Sequence, residues 1–310
     1  PFAMARHRLP FRRRSHKVGL PPGTLAAPEK EAPHRPSEPV RLTLIDYGPE
    51  HVEEKTVTEV PDWSSYRSSE SISWINVDGV HDTEILEQIG DQFNLHPLVL
   101  EDVATAGQRP KVEDYGEYVY LILYMLQRGE EPGTVHHEQV SIVLGPRFVL
   151  SFQEAPGDVF DPVRGRIRHG RGRIRRSGSD YLAYALADTV VDHYFVVAEA
   201  FSQQLENLED ELLEETEDDI PVTINHLRRE LMYVRRSIWP LREVISMLQR
   251  SDNELVSAEI RPFLRDIYDH TIQVVDVIET YRELSSSLLD LHLSQISNRM
   301  NEVMQVLTII

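Results

Sequence analysis

The chain has 310 residues, 41% hydrophobic content and a formal net charge of −19. That is enough apolar material for one large domain or two moderate ones, and too much negative charge for a nucleic-acid binder overall. It has no cysteine, which excludes disulfides and thiolate metal sites and fits a reducing compartment.

Residues 1–39 are rich in Pro and Arg, with little apolar periodicity, and read as a flexible leader. Pro1-Phe2-Ala3 ahead of Met4 reads as a cloning scar, and the basic start, including Arg12-Arg13-Arg14, lacks the apolar stretch of a secretory signal. Residues 40–178 are mixed α/β. Alternating or β-branched runs predict strands at 41–47, 71–77, 118–125, 139–144 and 147–152. Gly145-Pro146 joins the last two as a tight turn, so they form an antiparallel hairpin. Helices fit 81–93, 97–103 and 157–168. The expected fold class is α+β: a mixed-sheet α/β/α domain followed by long helices.

From Ser179 to Ile310 there is no glycine and only helix is plausible. Residues 179–251 form a long helical hairpin: one arm carries Leu182, Leu186, Val190, Tyr194 and Val197, and the second starts at Pro221. Pro240 kinks the second arm because its ring displaces the carbonyl four residues earlier. Residues 252–310 form a stalk helix with Pro262 in its first turn and an uninterrupted run of about 50 residues, roughly 75 Å long. Its near-heptad seam predicts packing against copies of itself, with packing inside its own chain as the alternative. The final run from Val303 to Ile310 has no closing Gly, Asn or basic residue. The chain therefore reads as the water-soluble part of a membrane protein, cut where a helix begins to enter the bilayer. No window of about 18 apolar residues spans a membrane by itself.

Seven segments in order carry a resemblance. They are Gly19-Leu20-Pro21-Pro22-Gly23-Thr24, His96-Pro97-Leu98-Val99-Leu100-Glu101-Asp102, Gln108-Arg109-Pro110-Lys111-Val112-Glu113, and residues 158–164, 238–243, 265–273 and 301–310. Together they resemble the CorA family of divalent-cation channels, in particular its bacterial and archaeal magnesium transporters. The resemblance implies a homopentamer in the inner cell membrane, with this chain on the cytoplasmic side. Five stalks would surround the ion path, and past Ile310 the family completes a first span ending in Gly-Met-Asn. Neither that motif nor a span is present in the sequence.

Magnesium prefers oxygen ligands and dehydrates reluctantly, so carboxylates holding it through water suit a sensor. The resemblance implies that Asp102 of one protomer and Asp266 of its neighbour share a regulatory Mg2+, with Co2+ or another divalent cation as alternatives. It implies that Glu101 and Asp188 contribute to a second ion. By residue type alone, Asp102 fits a solvated surface equally well, and Asp266 fits the favourable start of a helix. Asp290 is expected as a ring of charge on the axis or as an ordinary outward charge. Asn301, Met304 and Leu307 resemble pore-lining positions, where Asn meets hydrated ion and Met and Leu gate by dewetting. Without the resemblance, Met304 and Leu307 are core residues.

The carboxylates between Glu206 and Asp219 read as a solvated helix face, with concentration of cations near the membrane as the alternative. The arginines from Arg164 to Arg176 lack interleaved aromatics, which argues against RNA and leaves membrane-proximal or intersubunit ion pairs. His136-His137 is expected to be exposed, ahead of an edge strand. Phosphate loops and HExxH are missing, so the chain is not read as an enzyme. Two readings compete with the magnesium channel: a zinc transporter of the same architecture, and a stand-alone soluble coiled-coil protein.

Overall fold

The computed structural model describes residues 21–25, 39–67, 70–214 and 219–309. Most of the leader, the hairpin tip at 215–218 and Ile310 lie outside them. The sheet strands are β1 (Arg41–Tyr47), β2 (Val52–Val57), β3 (Ile72–Asp78), β4 (Lys111–Asp114), β5 (Val119–Arg128), β6 (Val135–Leu144) and β7 (Phe148–Gln153). The helices are α1 (Ser64–Arg67), α2 (Thr83–Phe93), α3 (Pro97–Ala104), α4 (Asp161–His169), α5 (Ser179–Glu214), α6 (Ile220–Ile238), α7 (Leu241–Gln249) and α8 (Arg261–Ile309). The seven strands lie in the order β2-β1-β3-β7-β6-β5-β4. Only β3 and β7 pair in parallel. The fold is α+β, a mixed sheet followed by long helices.

Alternation along the strands splits the core in two. Leu42, Leu44, Ile75, Val77, Tyr120, Ile122 and Leu150 face α2 and α3. Ile45, Trp74, Leu121, Leu123, Ile142 and Val149 face the opposite side, where α4, α5, α7 and α8 contribute the cover. Each fully buried side chain of this kind contributes roughly 1.5–3 kcal/mol. At the β6–β7 turn, the Gly145 N–H donates to the Phe148 carbonyl at 2.9 Å. A Cβ on Gly145 would come within 2.2 Å of the Phe148 ring, so the turn requires glycine.

Two strands escape the sequence pattern. β2 (Val-Glu-Glu-Lys-Thr-Val) and β4 (Lys-Val-Glu-Asp) are charged because each is an edge of the sheet with one side open. β6 starts at Val135, so His136 and His137 lie within the strand and not ahead of it, paired there with β5 alone because β7 joins β6 only from Ser141 onward. His136 is exposed, as expected, while His137 is half-buried and meets Ser237 Oγ through Nδ1 at 3.1 Å. Pro240 separates α6 from α7, and Trp239 lies between the Arg235 and Arg242 guanidinium groups at 4.6 and 4.1 Å.

The 49-residue α8 takes the intramolecular alternative over its first half only. Its first half packs inside its own chain against α5, α6 and α7, burying Leu264, Ile267, Val274, Val275 and Ile278. Gln295 still reaches back to the Leu212 carbonyl of α5 at 3.3 Å. Along the second half, Leu291, Leu293, Ile296, Met300, Val303 and Val306 are exposed. Among the described residues no helix is long and apolar enough to cross a membrane.

Candidate functional site

α3 begins where His96 caps the helix, its Nδ1 accepting from the Leu98 N–H at 3.2 Å, and Pro97 fits the first turn. Burial of Val99, Leu100 and Val103 turns Glu101 and Asp102 to the rim of the sheet. Glu101 accepts from the Gly23 N–H at 2.6 Å, which ties the segment at 21–25 to α3. Gly23 has φ +81°, and a Cβ there would lie 2.9 Å from Pro97 Cβ, so this close approach requires glycine. Asp102 Oδ2 accepts from Lys111 Nζ at 2.6 Å, and the same ammonium donates to Glu113 Oε1 at 2.7 Å. Lys111 and Glu113 are two apart in β4 and share one face. Tyr115 donates its hydroxyl to Glu113 Oε2 at 3.1 Å.

Across the sheet, α5 and α8 hold a second group of acids. Asp188, Asp192 and His270 each present a ligand atom within 4.8 Å of the other two. Burial first, and then the charge of Asp192, push the Asp188 carboxyl up to about 6; the Arg166 guanidinium and the Tyr184 hydroxyl oppose this, and Asp266 adds to it. Asp266 is 61% exposed at its side chain, with Oδ1 4.0 Å from His270 Nε2. His270 Nδ1 is buried without a hydrogen-bond partner, and its ring stands edge-on to Phe195 at 5.8 Å. These are hard oxygen donors joined by one imidazole, with the Arg166 charge close enough to act on Asp188. The set fits a divalent cation.

Glu101 and Asp102 therefore stand on the face of α2 and α3, whereas Asp188 and Asp266 stand on the face of α5 and α8. Within one protomer, Asp188 and Asp266 are brought together and Asp102 is not joined to either. Asp290 is exposed, as are Asn301, Met304 at 62% and Leu307 at 67%. Sequence reasoning missed Asp192 and His270. The signal was there: Asp188/Asp192 and Asp266/His270 are both spaced i,i+4, which puts each pair on one helix face.

The arginine cluster works inside the protomer. Arg164 clamps Asp158 with both terminal nitrogens at 2.6 and 2.5 Å. Arg168 takes both oxygens of Glu54 at 2.8 and 2.7 Å, and Arg175 donates to the Ile167 and Arg168 carbonyls at the end of α4. Arg173 lies 5.3 Å from the Phe263 ring centre. These groups staple α4 and the following turn to the sheet and to α8, so Arg164, Arg168, Arg173 and Arg175 have partners inside the protomer.

A model of the family described as CorA-like Mg2+ transporter protein matches residues 69–310. The chain is 44% identical over 299 residues to the cobalt/magnesium transport protein CorA of Thermotoga maritima, covering 96% of this chain and 84% of that protein. It is 30% identical over 239 residues to the putative metal ion transporter YfjQ of Bacillus subtilis, covering 76% and 72% of the two chains. The complete structure of the CorA magnesium transporter from Methanocaldococcus jannaschii has the same fold, with a TM-score of 0.69, 22% identity and coverage of 86% of this chain and 81% of that one. The chain belongs to the CorA family of Mg2+ transporter proteins, which are ion transporters and not enzymes.

Proposed function

We propose that this chain is the cytosolic sensing and gating part of a CorA-type homopentameric channel for Mg2+, with Co2+ as a second cargo, set against the inner face of the cell membrane. The observation that carries this reading is the group of Asp188, Asp192 and His270, whose ligand atoms lie within 4.8 Å of one another beside the outward Asp266 of α8; burial first, and then the Asp192 charge, lifts the Asp188 carboxyl to about 6. Carboxylates held this close repel one another unless a cation joins them. The 44% identity to a cobalt/magnesium transport protein supports Mg2+ and Co2+ as the ions.

In this reading Asp102 of one protomer meets Asp266 of the next, and Glu101 and Asp188 serve a second ion. A bound Mg2+ supplies the two positive charges that turn repulsion between neighbouring protomers into a clamp. At high internal Mg2+ the carboxylates are bridged and the assembly is closed. As Mg2+ falls, repulsion between Asp102 and Asp266 separates the protomers and α8 relaxes. Met304 and Leu307 then widen from a dewetted constriction, while Asp290 and Asn301 present oxygen to hydrated ions. The ion shifts the equilibrium only by its preference for the closed state. The exposed apolar second half of α8 supports its role as the inner stalk of such an assembly.

In the full-length protein, Asp266→Ala should abolish most of the protection that millimolar Mg2+ gives against limited proteolysis. Protection equal to wild type would remove the assignment. A second reading, a zinc transporter of the same architecture, draws on His270, whose nitrogen suits a transition metal better than Mg2+. Competition between Mg2+ and Zn2+ in an uptake assay separates the two.

A further inference from the structure

We infer that Lys111 is a tethered competitor at the proposed Mg2+ site: its ammonium holds Asp102 in the absence of an ion and withdraws to Glu113 when one binds. Lys111 thereby sets how much Mg2+ the sensor needs. This deepens the proposed function and rests on Asp102 being a ligand there.

The ammonium is shared between two carboxylates, at 2.6 Å from Asp102 and 2.7 Å from Glu113. Two acids and one base leave one negative charge, which invites a cation but does not require it for folding. β4 is fixed by its pairing with β5, Lys111 opposite Ile122 and Glu113 opposite Tyr120, so the strand need not move during the exchange. Because Lys111 and Glu113 lie on one face, rotation of the lysine stem transfers the ammonium fully to Glu113. The Tyr115 hydroxyl occupies Glu113 Oε2, keeping Oε1 turned to the lysine. The Tyr120 ring, 5.6 Å from Nζ, gives the ammonium a favourable face beside the two carboxylates. Lysine suits this task better than arginine, being a compact charge on a flexible stem and not a two-pronged clamp. The side chain of Lys111 is 29% exposed and that of Asp102 19%, so the ion pair is reachable from solvent. A partly exposed pair of this kind is cheap to open. It therefore lowers the affinity of Asp102 for Mg2+ without abolishing it.

The test is a Mg2+ titration of protease protection in the full-length protein, comparing wild type with Lys111→Met, Glu113→Gln and Asp266→Ala. Lys111→Met should lower the Mg2+ midpoint by roughly fivefold, the equivalent of about 1 kcal/mol for one partly exposed ion pair. Glu113→Gln should raise it by a similar factor, because the lysine then has only Asp102 to hold. A merely structural pair would move both variants in the same direction, and that result, or two unchanged midpoints, overturns the inference. Thermal melting in chelator identifies any variant that fails to fold; Lys111→Gln then repeats the test with a neutral polar side chain. Asp266→Ala reports separately on the site: if its midpoint equals wild type, the sensing assignment itself fails, whatever the lysine variants do.

Discussion

The two halves of α8 are one unbroken helix in two different environments. In the first half, Ile267, Val274, Val275 and Ile278 are fully covered by the rest of the protomer. In the second half, Leu293, Ile296, Met300, Val303 and Met304 are at least as apolar and have no such cover. Apolar content therefore does not by itself identify a helix's partner. The partners of the first half are encoded in α5, α6 and α7; beyond Gln295, which still reaches α5, the described residues of this protomer leave the apolar side chains of the second half exposed.

The largest expected effect breaks the covered half. Ile278→Ala should destabilise the chain by roughly 2–4 kcal/mol, because it removes a fully buried side chain and leaves a cavity between packed helices. Denaturant unfolding measures it, and a loss below about 1 kcal/mol would mean that α8 is not held against α5 and α6.

Next comes Asp188, which faces this half. Its carboxyl is raised from the ordinary 3.8 to about 6, so the folded protein retains a proton that the unfolded chain has already lost. The stability this contributes is fully present below about pH 4 and is lost as pH rises through about 6. Asp188→Asn should therefore match wild type at pH 4 and exceed it at pH 7.5 in the absence of divalent ions. The gain is about 1–2 kcal/mol once solvent screening is allowed for. Melting curves across that range test the sign; a difference independent of pH contradicts a carboxyl raised by burial and by the neighbouring Asp192 charge.

The smallest effect belongs to the uncovered half. Leu307→Ala should change the unfolding free energy of this chain by less than about 0.5 kcal/mol, as at other exposed positions. A larger loss would show that the second half of α8 already has a partner.

Much of this architecture was legible in the sequence because burial imposes periodicity. β1 matches its expected bounds at both ends, since every residue after Arg41 is buried and the strand's two faces feed the two cores. Pro221 starts α6 and Pro240 ends it, because a missing N–H and a fixed φ act locally. The edge strands β2 and β4 were not legible, as their charged residues answer to solvent and to one neighbour only. Asp188 and Asp266 were named through the family resemblance; the i,i+4 spacing marked Asp192 and His270 as their neighbours on each helix, but that the two pairs meet shows only when α5 and α8 pack. The same holds for Lys111: nothing in the order Lys-Val-Glu reveals that its ammonium reaches back nine residues to Asp102.

The most direct measurement is the anomalous scattering of Mn2+ in crystals of the full-length protein grown at millimolar Mn2+, which stands in for Mg2+. The account predicts an ion between Asp102 of one protomer and Asp266 of its neighbour, with Lys111 Nζ moved away from Asp102 and still on Glu113. Ions bound elsewhere in the cytosolic part, with none touching Asp102 or Asp266, would contradict it.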